Sequence, residues 1–463
     1  MKLHWCAVRL EDDKLWVLRQ PLLKVMLKIG LPVSMMEALR LVYNIIDTYW
    51  LGNYNSILLS GLAVSWPVIF LVTSAFLGVY GAGISLTSQY WGAKKFDMSM
   101  KVAGQLLFFT LAVSPLMAIA IVVATPALLA LIGAPPEASS AAYSYIFYIA
   151  LGSPVFGILE SIVALYTAVG LATIPMIFRG IGTLLNIFLD PVFIYGMYGV
   201  PEMGISGAAI ATVLSEFVAA VIGLAYFVLR GVKGEKMSFV HLLPDKELLK
   251  KIIEIGLPLS GSALADASGF YVLSGVIGML GEEALASWTI GDRPFGIVST
   301  VITGLLTACS TIIGQSLGAG LYDKAKEAAK KVLAFSIAIT AVFVTPLVVF
   351  RNHIATAFAP DNPTIASYAA DFMLFMGPSL LFFSMLTTAR FVASGSGHTR
   401  PIMYLSFLRL WGLRNILAYL FGPGPIGMGV SGLWIGMALS NVITGLVAVC
   451  WILRYSWLKP VIR

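Results

Sequence analysis

The chain has 463 residues, of which 59% are hydrophobic and only 11% charged, with a mean hydropathy of +0.89. Water cannot solvate most of that surface, so a soluble globular fold is excluded and the bilayer is the expected medium. The net charge of +7 is dispersed over short connecting segments, too thinly for a nucleic-acid-binding surface, and Cys6, Cys309 and Cys450 offer neither a disulfide framework nor metal-ligand spacing.

In chain order, residues 1–28 are charged on both sides of a short apolar patch and show no small-residue cleavage site, so an amphipathic lead-in is expected rather than a cleaved signal peptide. Apolar, charge-poor runs follow near 30–52, 56–86, 102–133, 139–169, 174–197 and 205–229, and again near 255–280, 284–314, 332–350, 364–394, 401–422 and 430–453. Each approaches the roughly 20 residues that carry a helix across about 30 Å of hydrocarbon. The predicted fold is therefore an all-α integral membrane protein of twelve spans. Its expected divisions are a first six-helix lobe over 29–230, a basic linker over 231–251, a second six-helix lobe over 252–455 and a tail over 456–463.

Lysine and arginine gather before the first span, after the second (Lys94, Lys95, Lys101), in the linker, after the eighth (Lys324, Lys326, Lys330, Lys331) and at the end of the chain. The positive-inside rule then places both termini in the cytoplasm. Asp97 and Asp323, just after the second and eighth runs, read as helix N-caps.

The two lobes are copies. Ile29-Gly30-Leu31-Pro32-x-Ser34 recurs 226 residues later as Ile255-Gly256-Leu257-Pro258-x-Ser260, Gln89-x-x-Gly92-Ala93 as Gln315-x-x-Gly318-Ala319, and Thr173-x-Pro175 as Thr399-x-Pro401. One residue is lost near the end, where Gly204-x-Ser206-Gly207 matches Gly429-x-Ser431-Gly432. A repeat of this length in this composition is half of a transporter. Because the basic loop recurs within each copy, both copies point the same way, with a pseudo-two-fold axis along the membrane normal and a cavity between the lobes. Pro32 and Pro258 mark either helix starts or points where the first helix of each lobe bends.

No phosphate-binding Gly-x-x-x-x-Gly-Lys-Ser/Thr loop is present, and His4, His241, His353 and His398 are too scattered to hold a metal. No nucleophile pairs with a base, so an enzyme is not expected, and neither is a cofactor or a tightly bound metal. An ion gradient is the expected energy source. Its carriers should be ionisable residues inside spans. Arg40, Asn44 and Asp47 share one face of the first helix, and Asn186 and Asp190 one face of the fifth. Asp47 lies five residues before Gly52 and Asp190 six before Gly196, so they stand at similar depth in the outer part of the membrane and can share a pocket. An ordinary aspartate stays ionised at neutral pH, whereas two carboxylates removed from water penalise each other's charge and can exchange a proton. The alternative is structural: Asp47 paired with Arg40, and Asp190 held by Asn186. In the second lobe the equivalents are Leu273 and Ile416, so the acidic pocket is confined to the first. Asp266 and Asp371 form a candidate second cation site, and Asp292 with Arg293 a neutralised pair.

Taken together, Leu31-Pro32, Tyr43-Asn44-x-x-Asp47, Gln89-x-x-Gly92-Ala93, Asn186-x-x-x-Asp190-Pro191 and Gly204-x-Ser206-Gly207-Ala208-Ala209-x-Ala211-Thr212 resemble the multidrug and toxic compound extrusion (MATE) transporters over about 28–455, and the archaeal and DinF-like branch in particular. The resemblance implies export of organic cations and other amphipathic compounds in exchange for protons or sodium ions, by a monomer in the cell membrane whose only other partners are lipids. It implies that Asp47 and Asp190 are the ion-coupled acids, with Tyr43, Asn44, Asn186 and Thr212 as hydrogen-bonding neighbours and Pro32 as the bending point of the first helix. Glu37 and Arg40 depart from the pattern, as does Gly170-Leu171-Ala172-Thr173-Ile174-Pro175, which lacks an expected acid. The same architecture also serves lipid-linked oligosaccharide flippases. That function would need a basic cavity, here from Arg179, Arg390, Arg409 and Arg414.

Overall fold

A computed structural model describes residues 14–133 and 135–462. Regular structure among them is helical, the sole β feature being an isolated bridge between Val232 and Glu235 in the linker. The first half comprises α1 (Leu22–Tyr54), α2 (Ser56–Gly92), α3 (Phe96–Ile132), α4 (Pro136–Leu151), α5 (Ser153–Ala168), α6 (Thr173–Tyr195) and α7 (Gly204–Arg230). The second comprises α8 (Lys246–Gly278), α9 (Glu282–Gly318), α10 (Tyr322–Val349), the short α11 (Arg351–Phe358), α12 (Pro363–Ser396), α13 (Arg400–Phe407), a π-helical turn over Leu408–Arg414, α14 (Asn415–Phe421) and α15 (Gly429–Leu453).

Seven of these, α3, α6, α7, α9, α10, α12 and α15, are long and apolar enough on their own to cross a bilayer. The pair α4–α5 supplies another span, bent by 53° at Gly152, where a side chain would collide with Val213. The remaining spans are α1 and α8, which carry charge, α2, which carries the apolar stretch Leu58–Phe70, and α13–α14, joined through the π turn. The described residues thus form two six-span lobes. Val123, Phe188, Ile297 and Val342 are each more than half exposed, as lipid-facing side chains should be.

The repeated motifs prove to be contact points between the lobes. A β-carbon at Gly92 would lie 2.0 Å from the Gln315 carbonyl oxygen, and one at Gly318 would lie 1.9 Å from that of Gln89. Each glycine admits the backbone of the other copy. The glutamine amides reach across as well, Gln89 Nε2 donating to the Gly395 carbonyl at 3.1 Å and Gln315 Nε2 to that of Ala168 at 2.8 Å. Farther along, α1 crosses α9 at Gly30 and Leu305, and α8 crosses α2 at Gly256 and Gly78.

The first and last described segments, from Lys14 and up to Ile462, lie with the linker on this same basic face. The carbonyl of Lys14 accepts from Trp91 Nε1 at 3.0 Å and from Lys233 Nζ at 3.1 Å, while the Leu18 carbonyl accepts from Lys324 of the second lobe. Val17 is buried in that lobe's core. The linker clasps the first lobe in turn: Gln105 Nε2 donates to the carbonyls of His241 and Leu243 at 2.8 and 2.7 Å. Its last residues already belong to α8, capped by the Asp245 carboxylate, which accepts from the amides of Glu247 and Leu248. The tail is anchored by Trp457, fully buried, and by the Val461 amide on Gln89 Oε1 at 2.9 Å.

Three expectations need correction. Asp97 and Asp323 cap nothing, because α3 and α10 begin one residue earlier with Lys95 and Leu321 at the cap; Asp97 instead accepts from His241 Nε2 at 3.1 Å, and Asp323 pairs with Lys326. Pro32 and Pro258 do not mark helix starts, since α1 and α8 begin 10 and 12 residues before them. The lead-in expected over 1–28 is described only from Lys14, and Leu22–Lys28 belong to α1; residues 1–13, with Cys6 and His4, lie outside the described residues.

Candidate functional site

α1 and α6 both rise from the basic face, and each brings one acid to the same buried pocket in the first lobe. Asp47 is 3% exposed and Asp190 fully buried. The two carboxyls interact directly, and the Asn186 amide and Tyr43 hydroxyl interact with Asp47 from the side. Asn186 Nδ2 donates to Asp190 Oδ1 at 2.9 Å, a bond that the four-residue spacing on α6 permits. The Tyr43 and Thr212 hydroxyls lie 3.4 Å apart, so α7 closes the pocket. Asn44 stands one residue off this line, with its side-chain oxygen buried and unpartnered among the described residues.

Tyr145 completes the site and was not among the residues singled out from sequence. It lies on α4, 3% exposed, where it interacts with Asp47, Asp190, Tyr43 and Thr212. Nothing in its local sequence, an ordinary apolar helix, marks it.

The pocket is short of donors. Asp47 Oδ1, Asp190 Oδ2 and Asn186 Oδ1 are buried without a hydrogen-bond donor among the described residues. Two carboxylates and an amide oxygen in that condition suit a proton or a small hard cation, either of which would satisfy oxygens that burial otherwise leaves costly. Among the described residues no basic side chain interacts with either carboxyl. Arg40 pairs with Glu37 on the same helix, so the alternative in which it neutralises Asp47 does not hold. Pro32 sits within the continuous helix α1, and its missing N–H leaves the Lys28 carbonyl without its intrahelical bond.

The second lobe has no such pocket at the equivalent positions, where Leu273 is buried and Ile416 half exposed. The candidate cation site at Asp266 and Asp371 is not assembled. Asp266 accepts from Arg390 at 2.6 Å and from Arg409 at 2.8 Å, which neutralises the charge a cation would need. Asp371 accepts from Ser431 Oγ at 3.3 Å on a different helix pair. The expected Asp292–Arg293 pair is not found among the described residues, and the charged neighbour of Asp292 is Arg414. Nor do the four arginines of the flippase reading form one basic cavity, since Arg179 is engaged by Glu160 at 2.5 Å in the first lobe. No cluster of three His, Cys, Asp or Glu side chains suited to a metal occurs among the described residues.

The MatE family model matches residues 32–192 and again 258–420, one match per lobe. A probable multidrug resistance protein NorM of Thermotoga maritima is 26% identical over 442 residues, 94% of this chain and 93% of that protein. An FAD transporter of Shewanella oneidensis is 23% identical over 97% of this chain and 98% of its own length. Among solved structures, a MOP superfamily transporter from Pyrococcus furiosus superposes with a TM-score of 0.88 at 23% identity, over 96% of this chain and 98% of that one. With both lobes matched by one family model and the repeat accounting for the double match, the chain belongs to the MatE family.

Proposed function

We propose that this chain is a secondary active multidrug efflux transporter, exporting cationic and amphipathic compounds in exchange for protons or sodium ions by alternating access. The observation that carries the proposal is the Asp47–Asp190 pair with its donorless oxygens, buried in one lobe of a duplicated membrane fold. Relatives named for multidrug resistance, that of Thermotoga maritima among them, support the substrate class. The orientation follows from charge: the basic face, with both termini, is cytoplasmic, in the cell membrane. A coupling ion entering from outside satisfies the two carboxyls, and α1, weakened at Pro32, then rearranges against α6 and α7 so that substrate leaves. Loss of the ion to the cytoplasm restores two buried charges and resets the pocket. The chain is taken to act as a monomer, with lipid as its only other partner and no cofactor beyond the coupling ion.

Dye efflux from proteoliposomes under separately imposed pH and sodium gradients tests this. Export driven by at least one gradient, and lost in Asp47→Asn and Asp190→Asn, is the expected result. Efflux that ignores both gradients, or that survives both substitutions, contradicts it.

A further inference from the structure

Besides the coupling pair, each lobe holds a second cluster of charges, part-exposed in the first lobe and with its arginines more deeply set in the second, and the two clusters have opposite excess. In the first lobe Arg179 bonds Glu160 with Glu216 beside both, and Arg40 pairs with Glu37, so three carboxylates face two guanidiniums. In the second lobe Asp266 lies between Arg390 and Arg409, Arg414 stands against Arg409 and Asp266, and Asp292 faces Arg414, so three guanidiniums face two carboxylates. The duplication relates them: Arg40 and Asp266 occupy equivalent positions 226 residues apart. At that one position the sign of the charge is reversed, whereas Glu37, Glu160 and Arg179 correspond to Ala263, Leu386 and Leu405.

The second-lobe cluster has the properties of a seat that its own residues leave incomplete. Arg409 Nε and Arg390 Nε are buried with no acceptor among the described residues. Orphaned charged donors inside a membrane protein are costly unless an anion completes them. Arg414 hydrogen-bonds to neutral groups, Ser440 Oγ at 3.0 Å and the Asn441 amide oxygen, so with Asp266 and Asp292 counted the cluster still keeps one positive charge in excess. Access is from one side. Arg409 and Arg414 are 2% and 3% exposed, whereas the Arg390 side chain is 24% exposed. Aromatic rings flank the guanidiniums, Phe383 at 5.0 Å from Arg409 and Phe270 at 5.9 and 5.7 Å from Arg409 and Arg414. Phe383 also lines a small cavity with Ser384 and Thr387.

We propose that this cluster receives the single anionic group, a carboxylate or phosphate, of an aromatic zwitterionic substrate. Arg390 makes the contact, Arg409 and Arg414 supply the excess charge behind it, and Phe270 and Phe383 flank the aromatic body. The first-lobe cluster, with its excess of carboxylates, takes the cationic end. The inference rests on the efflux reading above and narrows its substrate class.

Rhodamine 110 and its methyl ester rhodamine 123 differ only in whether the carboxyl is free, which isolates the effect. Their affinities for the purified full-length protein are read by fluorescence polarisation, and their movement is read in proteoliposomes under imposed gradients. The free carboxylate is expected to bind about 10-fold tighter than the ester, the difference one charged hydrogen-bonded contact makes. Arg390→Gln and Arg414→Gln should each bring that ratio close to one, and Arg390→Lys should keep most of it; three variants guard against a folding failure in any one. Equal affinity for the two dyes in the unaltered protein, or a preference that survives both glutamine variants, overturns the proposal. Phosphatidylglycerol, but not phosphatidylcholine, displacing rhodamine 110 in an Arg414-dependent way would assign the seat to a lipid headgroup and also overturn it. Arginine-dependent preference in binding without gradient-driven movement of either dye would uphold the seat and defeat the efflux reading instead.

Discussion

Asp47 and Asp190 hold two acidic groups where lipid and protein exclude water, an arrangement that costs stability and is kept for what it does. Asp47→Asn should therefore uncouple efflux while raising thermal stability, by on the order of 1 kcal/mol or more, because one of two mutually repelling groups is gone. A melting curve on purified protein beside a gradient-driven transport assay checks both halves. Tyr145→Phe removes a hydroxyl that interacts with those of Tyr43 and Thr212 beside the two carboxyls; efflux should fall by roughly 3- to 10-fold with the fold intact, the size of one lost neutral hydrogen bond. The acids and Asn186 were legible because intramembrane polar groups at helical spacing stand out against an apolar background, whereas Tyr43 and Thr212 were indicated only by the family resemblance. Tyr145 was not legible, since its partners are on other helices. The pairing of Asp266 with Arg390 and Arg409 was hidden for the same reason, the partners being 124 and 143 residues away in the chain.

Among the elements, α1 and α8 carry the most informative irregularities. Pro32→Ala would restore the bond to the Lys28 carbonyl and stiffen α1, a change worth about 3 kcal/mol in a helix interior. Substrate binding should persist while turnover slows, which single-turnover against steady-state efflux would separate. At the start of α8, Lys101 pairs with Asp245 at 2.5 Å and, with the amides Asp245 caps, holds its carboxyl below the usual carboxylate range. That contribution is complete above the ordinary aspartate range and is lost as pH falls through the lowered folded value. Asp245→Ala should cost about 1 kcal/mol at neutral pH, and the gap from the unaltered protein should close on strong acidification, as read by melting at a series of pH values. Helix existence was legible from apolar run length. Helix starts were not: Asp97 and Asp323 have the right residue type, but the cap falls two residues earlier, so the side chains are left to His241 and Lys326.

For the molecule as a whole, the duplication was plain in the sequence as a fixed offset, yet the purpose of its most regular motif was not. Gln-x-x-Gly-Ala reads as a loop signature, whereas in the folded chain its glycine is where each lobe admits the other. Gly92→Ala and Gly318→Ala should each destabilise the closed basic face by about 1–3 kcal/mol through overpacking, and by similar amounts, since the two contacts are near mirror copies. Matched drops in melting temperature check this. The ends of the chain add cross-ties that composition could not reveal: Lys14–Leu18 reach the second lobe, the linker reaches the first, and the tail reaches Gln89.

Those reciprocal glycine contacts mean that neither half owns its own joint. If the polypeptide were severed at the solvent-exposed turn around Gly234, where φ is +87° and a β-carbon would meet nothing, the two fragments should still find one another when co-expressed and co-purify as a working whole, each having kept the complementary half of a fastening that ancestral identical copies once provided for themselves.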